Sequence, residues 1–201
     1  MNKLEIYSNF SSEVKSCSKC DLGQCGKLDG YDPHVVGQGN IDADLMFIAE
    51  APGKQETIHG RPLTPPGTSG NVYENILKFM DLTRDDVYTT NVVLCRPPNN
   101  RDPELYEVKK CQPYLELQIK LVEPKLIVTF GRFAAQVFVN NFKITKDHGT
   151  LIKSEKYGVD IFPVYHPAYY KAYASVKRRA EFKADINKLR KIFDKKLRKA
   201  A

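Results

Sequence analysis

Four short apolar runs, set well apart, restrict this chain more than any other feature of it: ADLMFIAEAPG (43–53), VYTTNVVLC (87–95), PKLIVTFG (124–131) and VDIFPVYHPA (159–168). Each has the length and the Val, Ile, Phe and Tyr content of a strand buried on both faces. Helical patterns separate them, in NVYENILKFMDL (71–82), PELYEVKKCQPYLELQIKLV (103–122) and RFAAQVFVNNF (132–142). Buried strands alternating with helices assemble as a parallel sheet covered on both sides. The expected fold is therefore α/β, a three-layer α/β/α domain around a mostly parallel four-stranded sheet. A single domain over 1–201 suits the length, and no repeat or Gly/Ser-rich linker divides it. A chain this long buries enough surface to fold without covalent staples.

In such folds ligands bind outside the carboxyl ends of the strands. The unusual residues fall there. The first strand runs into Glu50-Ala51-Pro52-Gly53, the second into Asn91 and Cys95, the third into Gly131-Arg132 and the last into His166-Pro167-Ala168. Polar groups converging from separate strand ends are the usual makings of a catalytic site.

Charge and hydropathy narrow the function classes. The net charge is +7, and residues 171–201 hold twelve Lys or Arg against three acids, so the rest of the chain is slightly acidic. Within this tail Phe182, Ile186, Leu189, Phe193 and Leu197 form one helical stripe. The expectation is a C-terminal helix packed on the body, its basic face solvated or turned to phosphates. No apolar run approaches the roughly 20 residues of a membrane span, and MNKLEIYSNFSSEVKS lacks the apolar stretch of a secretory signal. A cytoplasmic or nuclear monomer, not secreted and not membrane-bound, is expected; NKLEIYSNF reads as an ordinary first helix or strand.

Cys17-x2-Cys20 has chelating spacing, and Cys95 and Cys111 supply a second pair once the chain between them folds back. Four thiolates hold Zn²⁺ or an iron-sulfur cluster, and spacing alone does not choose between them; unrelated buried cysteines are the plainer alternative. A disulfide framework is disfavoured in a cytosolic chain. Cys25 is left over, as a core thiol or a competing ligand.

The motifs AEAPGKQE, GRP, TNVVLCRPPNNR with its following Cys111, LIVTFG and YHPAYY stand in an order and spacing that resemble the iron-sulfur uracil-DNA glycosylases, the fourth family, over residues 14–193. The resemblance implies a [4Fe-4S] cluster on Cys17, Cys20, Cys95 and Cys111, structural and apart from the bond broken, with Zn²⁺ the lesser candidate. It implies uracil-containing DNA, single- or double-stranded, as substrate, and release of the base by a monofunctional hydrolase that leaves an abasic site. Asn91 corresponds to the base-reading residue and His166 to the histidine that donates toward uracil O2. Glu50 and Glu56 correspond to the acidic residues of the first motif, to orient water or favour a cationic sugar. Gly53 would let backbone approach the extruded nucleotide. Ala51 stands where other uracil glycosylases carry a water-activating Asp, which implies that base departure runs ahead of water attack.

The chain departs from that pattern in places. Leu63 replaces the Phe that stacks on uracil, TPPGTSGN (64–71) is longer than the family's glycine turn, and Thr57 replaces an Asp. After HPA comes YYKAYASVKRR, where relatives carry a leucine-rich segment. Tyr170 or Lys171 is expected to fill the gap left by the flipped nucleotide, with Lys177, Arg178 and Arg179 near phosphates; tyrosines packed under the last helix are the alternative. Three rival readings follow: a glycosylase of this fold for another deaminated base, a non-enzymatic DNA-binding module, and a zinc protein.

Overall fold

The structure, a computed structural model, describes residues 1–24, 28–172 and 175–197. Helix α1 (Lys3–Lys15) starts in a capping box, Asn2 accepting from the Glu5 N–H while the Glu5 carboxylate accepts from the Asn2 N–H. A short α2 (Asp21–Gln24) and a two-residue strand β1 (Gln38–Gly39) precede the first buried strand, β2 (Leu45–Ala49). Then come α3 (Lys54–His59), α4 (Thr68–Phe79), β3 (Tyr88–Asn91), α5 (Leu105–Val122) and β4 (Leu126–Phe130). The chain closes with α6 (Gly131–Gln136), α7 (Ile144–Asp147), β5 (Ile152–Lys153), β6 (Asp160–Val164), α8 (Pro167–Ala172) and α9 (Val176–Lys196).

The sheet order is β1-β3-β2-β4-β6-β5. Its central four strands are the predicted ones, all parallel, with Phe47 standing between Thr89 and Val128. The expected count of four is corrected to six: β1 adds antiparallel to β3 and β5 antiparallel to β6. Two-residue strands are too short for an alternating pattern to reveal them. The buried strands are also shorter than their apolar runs, because the last residues of each run have already turned into the loops at the carboxyl end.

Alternate residues feed two cores. Met46, Ile48, Ile127 and Ile161 pack with Phe10, Tyr114, Leu115 and Ala134 from α1, α5 and α6. Phe47, Val128, Phe130 and Phe162 pack on the opposite face with Tyr73 and Ile76 of α4 and with Phe182, Ile186, Leu189 and Phe193 of α9. The predicted C-terminal stripe is buried as one row, Leu197 included. The helix expected over 132–142 stops at Gln136, and Asn141, at a left-handed φ of 56°, turns Phe142 back into the interior.

The loop between β3 and α5 is fastened by charge. Glu107, fully buried, accepts two bonds from the Arg101 guanidinium at 2.9 and 2.6 Å and a third from the Glu104 N–H at 2.7 Å. Arg96, also buried, donates to Asn100 and Asp29. Among the described residues no helix is long and apolar enough to cross a membrane.

Candidate active site

Glu50 follows the last residue of β2 and lines a cleft of about 360 Å³ together with His166, which follows Tyr165 at the end of β6. Asp102, from the fastened loop, and Arg132, at the start of α6, face the same space. Removal from water pushes the Glu50 carboxyl up to about 7; the Asp102 charge adds to this and Arg132 opposes it. The same desolvation pushes the His166 imidazole down to about 4. His166 is therefore neutral at physiological pH. Its Nδ1 accepts from the Ala168 N–H at 3.2 Å, which leaves the ring proton on Nε2 as a donor. Gly131, at φ +85°, is needed beneath it, since a Cβ there would lie 3.2 Å from the His166 Cβ.

Asn91 ends β3 and pairs with Ala49, one residue before Glu50. It is fully buried, and neither its amide nitrogen nor its oxygen has a partner among the described residues. Such a group is costly in a folded core, and the Thr90 and Thr129 hydroxyls share the condition.

Glu56, Gly53 and Leu63 are drawn together apart from Glu50. The Glu56 carboxylate accepts from the Gly53 N–H and the Leu63 N–H, each at 2.6 Å. Burial pushes it up to about 7 while those two donors oppose the shift. Arg84 donates to the Pro62 carbonyl at 2.9 Å and to the Leu63 carbonyl, so Leu63 is held from both sides at φ +47°. Glu56 does not line the cleft; its carboxylate organises the loop carrying Leu63, whose side chain is buried in the α4/α9 core. Ala51 is half-buried and packs against the opposite core.

The segment after His166 separates its two tyrosines. Tyr169 lines the cleft, and its hydroxyl accepts from Arg178 at 2.9 Å. Tyr170 instead packs against Phe182, ring centroids 5.2 Å apart and tilted by 43°, and lines a groove between α4 and α9. Tyr170 thus packs under the last helix, as the alternative reading had it, while Tyr169 faces the cleft. Lys177 and Arg179 are exposed on the first turn of α9 and flank Arg178. The Lys171 side chain and Cys25 lie outside the described residues. Asp102 and Tyr169 were not singled out from sequence; Arg132 was noted there only as following a strand-end glycine.

Cys17, Cys20, Cys95 and Cys111 line one small cavity with Val14, Leu94 and Tyr114, and none is in a disulfide. The Leu94 N–H donates to Cys111 Sγ at 3.3 Å. His34 ties the two halves of the group: its Nε2 meets the Cys17 carbonyl at 3.0 Å, its Nδ1 meets Asp32 at 2.5 Å, and its backbone bridges Cys95. Burial pushes the Cys111 thiol up to about 12, so a thiolate there needs a cationic partner. Among the described residues no three His, Cys, Asp or Glu side chains close on one metal ion. The four thiols surround a shared space without meeting at a point.

Comparison with known proteins places this geometry. A family model described as the uracil DNA glycosylase superfamily matches residues 36–190. The chain is 37% identical over 200 residues to the type-4 uracil-DNA glycosylase of Archaeoglobus fulgidus, covering 96% of each. It is 39% identical to the type-4 uracil-DNA glycosylase of Sulfurisphaera tokodaii, over 94% of this chain and 86% of that one. It is 36% identical to the Thermotoga maritima type-4 enzyme, over 95% and 96%. With strand ends, cysteines and sheet arranged as described, the chain belongs to the uracil DNA glycosylase superfamily, among its type-4 members.

Proposed function

We propose that this protein is a DNA-repair hydrolase that extrudes uracil from DNA and breaks its N-glycosidic bond, leaving an abasic site. Family membership supports the activity. The observation that carries the assignment to this cleft is that Glu50 and His166 face one space; Asn91, a buried amide unpartnered among the described residues, ends the neighbouring strand without lining that space. Uracil presents O4 as acceptor and N3–H as donor, and one side-chain amide answers both. A stacked base is out of reach, so the nucleotide must rotate out of the helix first, at a cost of about a few kcal/mol.

Bond cleavage leaves positive charge on the sugar and negative charge on the departing base. His166, neutral and protonated on Nε2, donates to the oxyanion forming at uracil O2. Glu50, as a carboxylate, favours the cationic sugar and orients the incoming water. Ala51 offers no second base, so departure of uracil precedes water attack. Glu56 and Gly53 set the loop, and Leu63 anchors it in the α4/α9 core without an aromatic face to offer a base.

The four cysteines fit a [4Fe-4S] cluster: the donor set is all thiol, gathered round one cavity, and Cys111 needs a cationic partner. When bound, such a group braces the 17–24 segment against Leu94, Cys95 and α5, and the residues above carry out the chemistry.

The test is base release from single-stranded and duplex oligonucleotides carrying one uracil. His166→Ala is expected to slow release roughly 10- to 150-fold, the worth of one hydrogen bond to a charged group of about 1.5–3 kcal/mol. Unchanged release would remove His166 from the site. Leu63, without a stacking face, favours a second reading in which another deaminated base is preferred; hypoxanthine and xanthine in matched oligonucleotides decide it.

A further inference from the structure

Six of the described arginines divide into two kinds. Arg84, Arg96, Arg101 and Arg190 each spend two or more guanidinium N–H groups on protein acceptors. The two in the cleft do not. Arg132 lies 4.6 Å above the Phe133 ring and, among the described residues, makes no hydrogen bond; its one ion pair is with Asp102 at 4.0 Å, both side chains more than half exposed. Arg178 lies 5.2 Å above the Tyr169 ring and donates through Nη1 to that ring's hydroxyl. All four residues line the cleft that holds Glu50 and His166.

A guanidinium seated on an aromatic face is steadied by cation–π attraction while its N–H edge stays open, and that planar fork matches two oxygens of a phosphate. An exposed ion pair stretched to 4.0 Å stabilises little, so Asp102 does not account for Arg132. The cleft also carries two carboxyl groups, Glu50 and Asp102, which repel an approaching polyanion unless cations sit beside them.

We propose that Arg132 and Arg178, presented by α6 and α9, form a two-point clamp on the DNA backbone at the mouth of the cleft. Asp102, beside Arg132 without fixing it, sets its negative charge against an arriving phosphate. The inference rests on the uracil-DNA reading. It adds Arg132 to the binding surface and gives Asp102 a competing role.

The experiment measures Kd for a uracil-containing duplex from about 50 to 200 mM salt, where each neutralised phosphate contributes about 0.9 to the slope of log K against log salt. R132Q and R178Q are each expected to lower that slope by about 0.9, and the double variant by about twice as much. R132K keeps the charge and is expected to keep the slope, which a merely structural Arg132 does not predict. D102N is expected to bind DNA more tightly than wild type. A wild-type slope in R132Q, with a wild-type melting temperature, overturns the clamp; an unchanged or raised Kd in D102N overturns the competing role. Wild-type protein that binds DNA with the full slope yet releases no uracil sinks the functional reading and leaves the clamp to be judged on the slopes alone.

Discussion

His166 and Glu50 face one cavity and shift in opposite directions for one reason: desolvation disfavours whichever form is charged. The imidazole, near 4, does not titrate around neutrality, whereas the carboxyl, near 7, does. Uracil release is therefore expected to rise with pH through about 7 as Glu50 ionises, and Glu50→Gln to flatten that limb in a pH–rate profile. A limb that survives in the variant belongs to Glu56, which also sits near 7. Stability has the opposite sign. The folded carboxyl keeps its proton where the unfolded one, at 4.5, has lost it, so stability falls as pH rises from 4.5 to about 7 and stays reduced above. Thermal melts of Glu50→Gln should then exceed wild type at pH 8 and converge with it near pH 4. Glu50 and His166 were legible in the sequence because each ends an apolar run. Tyr169 and Tyr170 were not separable, since adjacent helical residues point about 100° apart and the sequence does not say which way the first one faces.

At the scale of elements, α9 carries Arg178 and must be held in register with β6, which delivers His166. The tie is Asp185, buried on α9, whose carboxylate meets His148 Nδ1 at 2.5 Å. The His148 ring packs on Tyr165 at 4.5 Å. Gly149, at φ +66°, donates to the Pro163 carbonyl at 2.8 Å and has no room for a side chain, since a Cβ would fall 1.9 Å from Asp185 Oδ1. Asp185→Ala leaves His148 without its partner in a buried site, a loss of about 1–3 kcal/mol, or roughly 2–12 °C in melting temperature for a domain this size. Calorimetry checks the fall, and binding of uracil DNA should weaken with it as Arg178 loses its placement. The apolar stripe of α9 was readable from spacing. Asp185 was readable too, in retrospect, as a carboxylate three residues after Phe182 on the same buried face. The edge strands β1 and β5 left no trace, because register with a neighbour and not local pattern makes two residues a strand.

For the molecule as a whole, the cysteine group joins parts of the chain that the sheet does not. The segment 17–24 touches the body through Cys17 and His34, through Lys19 over the Tyr114 ring and through the buried Leu22 rather than through strand pairing. Cys17→Ser is expected to lower the iron content and visible absorbance of the purified protein and to reduce its melting temperature, measured on protein prepared without oxygen. Full absorbance in the variant removes Cys17 from the ligand set. The pairing of Cys17-x2-Cys20 with Cys95 and Cys111 was visible as spacing, but their meeting depends on where β3 ends and α5 begins, which only the fold supplies. Cys17 and Cys20 precede Cys111 by more than ninety positions, so a growing chain carries an incomplete donor set until α5 has emerged. Loading of the cluster proposed above would then be a late step of biogenesis, in competition with oxidation of the waiting thiols.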